Sequence, residues 1–292
     1  MIIVRLNGGL GNQMFQYAAG RTLAHRLETQ LKLDISQFQH NPDRNYNLGC
    51  FSIQEQFVCQ RDLNRIQMPT ITSLKDPFRL LRKKISREPP IIRIMERYFH
   101  FDPEIQNLSD NSYLEGYWQS EKYFNEIERI IRREFSIKIP PDSVNKECRE
   151  RILAVNSVSI HVRRGDYLTN PVTFQTHGLC DIDYYKKAID EILDLVDKPH
   201  FFIFSDDQSW AKSNIIFGAP TDYVMHNNSL KNYEDLRLMS YCRHHIIANS
   251  SFSWWGAWLG NNPEKIVIAP KKWFNDPKID TTDLIPDTWL RL

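Results

Sequence analysis

The sequence predicts an α/β protein with two domains, each built on a parallel, doubly wound β-sheet. In the second half of the chain, short apolar runs alternate with longer helical segments at the spacing of β-α-β units. In the first half, a glycine-rich turn follows the first apolar run and leads into a helical segment. The proline pair in Lys138–Asp142 indicates a linker. We therefore expect an N-terminal domain over residues 1–140 and a C-terminal domain over 141–292, facing each other across a cleft.

Composition and charge argue against several classes of protein. Of the 292 residues, 41% are hydrophobic and 25% are charged, as in ordinary globular proteins, and a net charge of +1 does not favour nucleic-acid binding. Five cysteines without a C-x-x-C pair argue against a disulfide framework or a zinc site, and favour a reducing compartment. No apolar run is long enough to span a bilayer. We expect a cytoplasmic protein, free or peripheral at the inner face of the membrane.

The glycine-rich turn is the first candidate binding element. It separates a predicted strand, Met1–Leu6, from a predicted helix, Met14–Leu27, and this arrangement points backbone N–H groups at an anion. Its spacing matches neither the dinucleotide fingerprint nor the P-loop. Gly9, Gly11 and Asn12 are the candidate ligand contacts, and a tight turn that packs the helix on the strand is the alternative. The helix is expected to bury a stripe formed by Phe15, Ala18, Ala19 and Thr22.

The rest of the first domain gives weaker signals. Further strands are predicted at Leu31–Ile35 and Tyr113–Trp118, and a helix capped by Ser120 is predicted to reach Phe135. Residues 36–109 show no clear pattern. The basic stretch Arg79–Arg87 within them is interpreted as a solvated helix face.

The second domain alternates clearly between strands and helices. The predicted strands are Val158–Val162, His200–Phe204, Tyr223–Met225, His245–Ala248 and Lys265–Ala269, and the predicted helices are Tyr184–Val196, Ser209–Ile216, Asn232–Cys242 and Ser253–Leu259. Polar residues collect where three of these strands end. Because the carboxyl ends of parallel strands share one edge of a sheet, these residues are expected to converge.

An arginine pair follows the first strand of this domain. Arg163 and Arg164 sit between His161 and Asp166, and the planar guanidinium fork fits phosphate oxygens bidentately. The segment therefore predicts a pyrophosphate clamp. A solvated loop, a structural pair with Asp166 and an exposed Arg-Gly-Asp adhesion tripeptide are the alternatives, and the adjoining apolar strand argues against the last.

Two further strand ends suggest how a nucleotide would be held. Asp206 and Asp207 can accept the N–H groups of guanine, and Asn249, Ser250 and Ser251 precede a helix whose N-terminus suits phosphate. The alternatives are structural: the aspartates and serines as helix caps, and the tryptophans Trp254, Trp255 and Trp258 as core, which is the preferred interpretation for the tryptophans.

A metal site is not predicted. Asp181 and Asp183 form a D-x-D pattern, but they stand where carboxylates favour the first turn of a helix. Two arginines can neutralise a departing diphosphate without a metal ion, and no organic cofactor is expected.

Five segments together resemble one family of enzymes: Asn7–Tyr17, Gly116–Ser120, His161–Tyr167, Phe204–Asp207 and Ser250–Trp258. They resemble bacterial α-1,2-fucosyltransferases of the H-antigen type along the whole chain. The His-x-Arg-Arg-Gly-Asp segment is the most specific, and the wider group of α-1,6- and protein O-fucosyltransferases has a related motif. The resemblance implies GDP-fucose as donor, inversion at the sugar carbon, a GT-B-like architecture and no required metal.

The expected reaction is the transfer of L-fucose from GDP-fucose to the 2-hydroxyl of a terminal galactose, in oligosaccharide or O-antigen biosynthesis. Arg163 is expected to bind the β-phosphate, while Arg164 binds a phosphate or orients the loop. Asp166 and His161 are candidate bases, and Glu115 or Glu121 in the first domain are alternatives. The acceptor is a galactose-terminated oligosaccharide, free or lipid-linked. It is expected on the side of the N-terminal domain, with residues 36–109 as the region of acceptor choice, and the C-terminal domain is expected to bind GDP-fucose. A GT-B enzyme with another donor or linkage, and a sugar-nucleotide-binding protein without catalysis, remain open.

Overall fold

The computed structural model describes residues 1–39, 44–67, 88–165 and 171–292 and divides the chain into two compact units, Met1–Ser136 and Ile137–Leu292. The predicted division after residue 140 lies four residues further along. The basic stretch Arg79–Arg87 and the candidate base Asp166 lie outside the described residues.

The first unit contains a five-stranded, fully parallel sheet in the order β2-β1-β5-β4-β3. Its strands are β1 (Ile2–Arg5), β2 (Leu31–Asp34), β3 (Ile66–Gln67), β4 (Ile91–Met95) and β5 (Ser112–Glu115). Its helices are α1 (Leu10–Arg26), α2 (Ser36–Gln39), α3 (Gln60–Leu63) and α4 (Glu128–Glu134), with 3₁₀ turns at Leu48–Cys50, Pro103–Asn107, Glu121–Tyr123 and Asn125–Ile127. Strands β3 and β4 lie in the region whose sequence showed no clear pattern.

Helix α1 begins earlier than predicted and is buried on almost every side. It starts at Leu10, so Asn12 and Gln13 belong to its first turn instead of preceding it. The predicted stripe is buried, but so are Tyr17 and Arg21, which lie between its members. The predicted stripe is therefore confirmed, and burial extends beyond it because this helix packs against the sheet and is also covered by the segments that follow.

The end of β5 differs from its prediction for a local reason. The strand stops at Glu115, and the backbone then turns so sharply that Trp118 adopts a positive φ of 56°. The carboxylate of Glu96 accepts the backbone N–H groups of Tyr117 (2.7 Å) and Trp118 (2.9 Å) and holds this turn. The continuous helix predicted from Ser120 to Phe135 is also wrong, because two 3₁₀ turns precede the seven-residue helix α4.

The second unit contains a six-stranded parallel sheet in the order β11-β10-β9-β6-β7-β8. Its strands are β6 (Asn156–Val162), β7 (Pro199–Ser205), β8 (Thr221–Val224), β9 (His244–Ile246), β10 (Val267–Ala269) and β11 (Leu290–Arg291). Its helices are α5 (Ser143–Leu153), α6 (Pro171–His177), α7 (Ile182–Leu195), α8 (Gln208–Asn214), α9 (Asn232–Tyr241) and α10 (Ser251–Leu259), with a 3₁₀ turn at Ser229–Lys231. Counted from the first strand of the unit, this is the 3-2-1-4-5-6 order of the doubly wound nucleotide-binding fold.

Helix α10 anchors the core of the second unit. Trp254 and Trp255 are fully buried and Trp258 is nearly so, which confirms their interpretation as core. The indole N–H of Trp254 donates to the carbonyl of Leu284 at 2.9 Å, so burial leaves this polar group satisfied. Within the described part of the chain, no helix has the length and apolar character needed to cross a membrane.

Candidate active site

The carboxyl ends of β6, β7 and β9 bring the predicted polar segments to one edge of the second sheet. Strand β6 lies between the other two, with Val162 beside Ser205 and Ile160 beside Ile246. The connection after β6 leads to one side of the sheet, and the connection after β9 leads to the other. This is the topological switch point at which open α/β sheets bind their ligands.

The arginine segment is tied to the end of the neighbouring strand. A guanidinium nitrogen of Arg163, Nη1, lies 2.9 Å from Oδ2 of Asp206, and the backbone N–H of Arg164 donates to Oδ1 of the same carboxylate at 2.8 Å. Asp206 thereby orients both the side chain of Arg163 and the backbone of Arg164. Arg163 keeps 26% of its side chain exposed, so part of this side chain is accessible from solvent.

Arg164 is held from two directions. Its guanidinium carbon lies 3.9 Å from the ring centroid of Trp210, a cation–π contact, and its Nε lies 3.4 Å from Oδ2 of Asp207. Asp207 also caps helix α8, because its Oδ1 accepts the backbone N–H of Trp210, an interaction that lowers the pKa of this carboxyl. The capping alternative therefore holds for Asp207, whereas Asp206 serves the arginine segment. Guanine reading by either residue stays a prediction.

His161 is buried at the end of β6, with 4% of its surface exposed. Its Nδ1 has no hydrogen-bond partner among the described residues, and its ring lies 5.6 Å from that of Phe252 in helix α10. Burial lowers the pKa of His161 to about 4, with Arg163 adding to the effect and Asp206 opposing it. The imidazole is thus neutral near pH 7, and its Nδ1 is a buried polar atom without a hydrogen bond to the described residues.

The segment after β9 contains one residue that fastens neighbouring segments together and others that lie at the candidate site. The side-chain amide of Asn249 donates to the carbonyls of His177 (2.9 Å) and Trp273 (3.2 Å), so it fastens neighbouring segments together. Ser250 is the residue preceding α10, and its hydroxyl makes no cap hydrogen bond. Ser251 opens the helix. The first-turn N–H groups of α10 and its dipole therefore lie at the switch point, beside the ring of His161.

The glycine turn of the first unit is organised by amide side chains. Gln13 is fully buried, and its Nε2 donates to the carbonyls of Gly8 and Asn45, both at 2.9 Å. Asn12 accepts a hydrogen bond from Gln119 at 2.9 Å. Gly8 adopts a φ of +77°, which favours glycine. Gly9 and Gly11 flank the start of α1. The amides thus build the turn, and contact of Gly9, Gly11 and Asn12 with a donor stays a prediction.

Glu115 lies between two guanidinium groups, those of Arg5 and Arg93. Both carboxylate oxygens are thus occupied by guanidinium groups, so this geometry does not favour the role of general base. Glu121 lies in a 3₁₀ turn, in the first position after the cap residue Ser120.

Three side chains that support the candidate site were not predicted from the sequence. Trp210 supports Arg164, and its only signal was an aromatic residue three positions after Asp207. Gln16 joins two loops of the first unit, and Glu96 clamps the turn after β5 from a region without a clear pattern. The D-x-D pattern behaves as predicted, since Asp181 caps α7 by accepting the N–H of Tyr184 at 2.8 Å.

A doubly wound sheet of this order, with a helix N-terminus at its switch point, places the second unit in the class of doubly wound nucleotide-binding folds. The sequence pattern of glycosyl transferase family 11 matches residues 1–291. The chain belongs to this family of α-1,2-fucosyltransferases, which confirms the resemblance seen in its motifs.

Among its relatives, the chain is 34% identical to an α-1,2-colitosyltransferase of Escherichia coli, over 100% of this chain and 99% of that one. It is also 34% identical to the Escherichia coli O-antigen biosynthesis glycosyltransferase WbnK, over 98% and 99% of the two chains. Mouse galactoside 2-α-L-fucosyltransferase Sec1 is more distant, at 26% identity over 89% of this chain and 64% of its own length.

Comparison with solved structures supports the architecture. The chain is similar to POFUT1, solved in complex with GDP-fucose, with a TM-score of 0.51, 12% identity, and coverage of 92% of this chain and 97% of that one. At this identity the likeness concerns the fold alone. It agrees with the two parallel sheets and confirms the prediction of a GT-B-like α/β protein.

Proposed function

We propose that the protein transfers L-fucose from GDP-fucose to the 2-hydroxyl of a terminal galactose, with inversion at the fucosyl carbon. The observation that carries this proposal is the pair Arg163 and Arg164 at the switch point of the second sheet, in a chain that belongs to glycosyl transferase family 11 over its length. The galactoside fucosyltransferase among its relatives supports the linkage.

The arginine segment would neutralise the negative charge of the donor diphosphate. Arg163 offers a planar fork oriented by Asp206, and Arg164 is immobilised on Trp210. The N-terminus of α10 supplies backbone N–H groups nearby, which suits phosphate oxygens. Together these groups neutralise the diphosphate without a metal ion, and we propose no cofactor for the reaction.

Inversion requires a single displacement. The oxygen of the acceptor hydroxyl bonds to the anomeric carbon while the bond from that carbon to the β-phosphate oxygen breaks, and the electron pair leaves with GDP. Arg163 would stabilise the negative charge that grows on this phosphate. The hydroxyl proton passes to a base, for which His161 and Asp166 are the candidates and Glu121 of the first unit is the alternative. His161 is neutral near pH 7, as a base must be.

A second candidate function follows from the colitosyltransferase of Escherichia coli, which is as similar to this chain as any relative described above. Colitose lacks the 3-hydroxyl of fucose. A site that hydrogen-bonds this hydroxyl rejects the deoxy sugar by roughly 10⁴-fold or more, whereas a site built for the deoxy sugar discriminates weakly against the hydroxyl. The ratio of kcat/KM for GDP-fucose to kcat/KM for GDP-colitose therefore shows which of the two sugars the site fits.

The test is a donor screen with the full chain. GDP-fucose, GDP-colitose, GDP-mannose and UDP-galactose are each offered with lactose, a galactose-terminated acceptor, and the product linkage is determined by NMR. The proposal expects the highest kcat/KM with GDP-fucose and an α-1,2 product. Preference for GDP-colitose would establish the second candidate. Binding of GDP without turnover on any galactose-terminated acceptor would contradict both and indicate a sugar-nucleotide-binding protein.

The biological acceptor is proposed from the same relatives. The Escherichia coli glycosyltransferase named for O-antigen biosynthesis suggests a surface glycan that ends in galactose, presented free or on a lipid carrier. An enzyme that uses a nucleotide sugar would then act in the cytoplasm, free or at the inner face of the membrane.

A further inference from the structure

The first unit contains a cavity of about 190 Å³ whose lining residues are distinct from the arginine segment. It is lined by Arg5, Asn7, Glu115, Gly116 and Tyr117. These residues stand at the carboxyl ends of β1 and β5, which are neighbours in the first sheet. Ligands of open α/β sheets bind outside the carboxyl ends of the strands, so the position is that of a binding site.

The charged residues that line this cavity pair with each other. Arg5 pairs with Glu115, which also pairs with Arg93 behind it. The lining itself therefore carries one positive and one negative charge, already bound to each other, and does not single out an anion or a cation. It nevertheless offers hydrogen-bond donors and acceptors on planar side chains, a combination suited to a neutral ligand rich in hydroxyl groups.

The walls of the cavity are held in place by one buried amide. Gln16, which is 1% exposed, accepts the backbone N–H of Asn7 at 2.9 Å and donates to the carbonyl of Gly116 at 3.0 Å. It therefore ties together the two loops that form opposite walls. Gly116 leaves no space for a side chain, since a Cβ there would lie 2.4 Å from the Cβ of Glu96. A site fixed in this way loses little entropy on binding.

We propose that this cavity binds one neutral sugar ring of the acceptor, with Asn7, Glu115 and Arg5 facing its hydroxyl groups and Tyr117 contacting its apolar face. Pockets for drug-sized ligands have roughly 300–1,000 Å³, so this smaller cavity suits a single ring. Tyr117 is 38% exposed and presents an aromatic body that a ligand can cover. This inference rests on the proposed transfer to a neutral glycan.

The test compares Tyr117→Ala, Tyr117→Phe and Asn7→Ala in the full chain, with GDP-fucose as donor and lactose as acceptor. We expect the KM for lactose to rise by about tenfold or more for both alanine variants, a loss of about 1.4 kcal/mol. The phenylalanine variant keeps the aromatic face and should change this KM less than about threefold. The KM for GDP-fucose, and GDP release by hydrolysis without acceptor, should stay within about twofold in all three.

Tyr98→Ala is the matched control, because Tyr98 is an exposed tyrosine of the same unit that does not line the cavity. Alanine variants that transfer fucose with an unchanged KM for lactose would overturn the inference and leave the proposed function intact. Equal rises in the KM for donor and acceptor would overturn it as well, since they indicate a general disturbance. A wild-type chain that transfers no sugar to any neutral galactoside would instead refute the proposed function, and the inference with it.

Discussion

Arg163 is the residue on which the proposed chemistry depends most. Arg163→Lys keeps the positive charge but loses the planar fork. Because charge on the β-phosphate is greatest as the fucosyl bond breaks, we expect kcat to fall on the order of 10²–10³-fold, with a smaller change in KM. Turnover and thermal unfolding are measured on the same variant.

Arg243→Lys provides the control for this substitution, since Arg243 is exposed at the opposite, amino-terminal edge of the same sheet and bonds to Asn156. If Arg163 were only a solvated loop residue, lysine would leave kcat unchanged. If it only stabilised the fold, lysine would reduce the amount of folded protein. A folded Arg163→Lys variant with near wild-type kcat would therefore remove the arginine from the mechanism.

Gly165 allows the approach between the arginine segment and Asp206. A Cβ at this position would lie 2.9 Å from Oδ2 of Asp206 and 3.1 Å from its Cγ. Gly165→Ala should push the carboxylate away and weaken its bond to the N–H of Arg164, raising the Kd for GDP by about 10-fold or more. Gly218→Ala, where nothing lies within 4 Å, is the control. Equal GDP affinities by calorimetry in the two variants would contradict this role.

His161 couples stability to pH. Its pKa of about 4 lies below that of an exposed histidine, so the unfolded chain binds the additional proton as pH falls from about 6.5 toward 4, and stability is lost in this window. In His161→Gln this loss is absent. The difference in unfolding free energy between wild type and variant should therefore shrink by up to roughly 3 kcal/mol between pH 7.5 and pH 4.

Denaturant unfolding at several pH values measures this difference, and His25→Gln, at the exposed end of α1, serves as control. A difference that does not vary with pH would show that His161 titrates like an exposed histidine.

At the scale of elements, α9 and α10 depend on a close approach at Gly256. A Cβ at this position would lie 2.9 Å from Cε and 3.1 Å from Cβ of Met239. Gly256→Ala gains up to about 1 kcal/mol of helix propensity but overpacks the contact, which costs about 1–3 kcal/mol. We expect a net loss of stability near 1 kcal/mol.

The double variant Met239→Ala/Gly256→Ala tests the cause of this loss. Met239→Ala removes Cε, the atom closest to the new methyl group, but keeps Cβ, so the loss caused by Gly256→Ala should become smaller in the Met239→Ala background. Equal effects in both backgrounds would show that the loss does not arise from this contact.

At the scale of the whole molecule, the proposed mechanism uses arginines to neutralise the donor diphosphate, a role that a divalent cation has in other glycosyltransferases. Asp181 is occupied as the cap of α7, and Asp183 lies in the first turn of that helix. Transfer from GDP-fucose to lactose should therefore proceed at an unchanged rate in excess EDTA. Activity that disappears in the chelator and returns with Mn²⁺ would contradict the proposal and make the two aspartates candidate ligands again.

The positions of the main elements in the second unit follow from the sequence itself. Strands β6 and β7 were predicted to within two residues at each end, because a strand buried on both faces requires a continuous apolar run and ends where polar residues begin. The placement of Arg163, Asp206 and Ser250 at strand ends follows from the same pattern. Parallel strand order then brings these ends to one edge.

Only the tertiary structure decided how those residues are paired. The bonds of Asp206 to Arg163 and Arg164, and the stacking of Arg164 on Trp210, join residues about forty positions apart, whose approach depends on the neighbouring strand and helix. The same holds for the Glu96 clamp on Tyr117 and Trp118, and for the burial of α1 around its circumference. Local pattern determines which residues are apolar or polar and in what order, whereas packing between distant segments determines which of them touch.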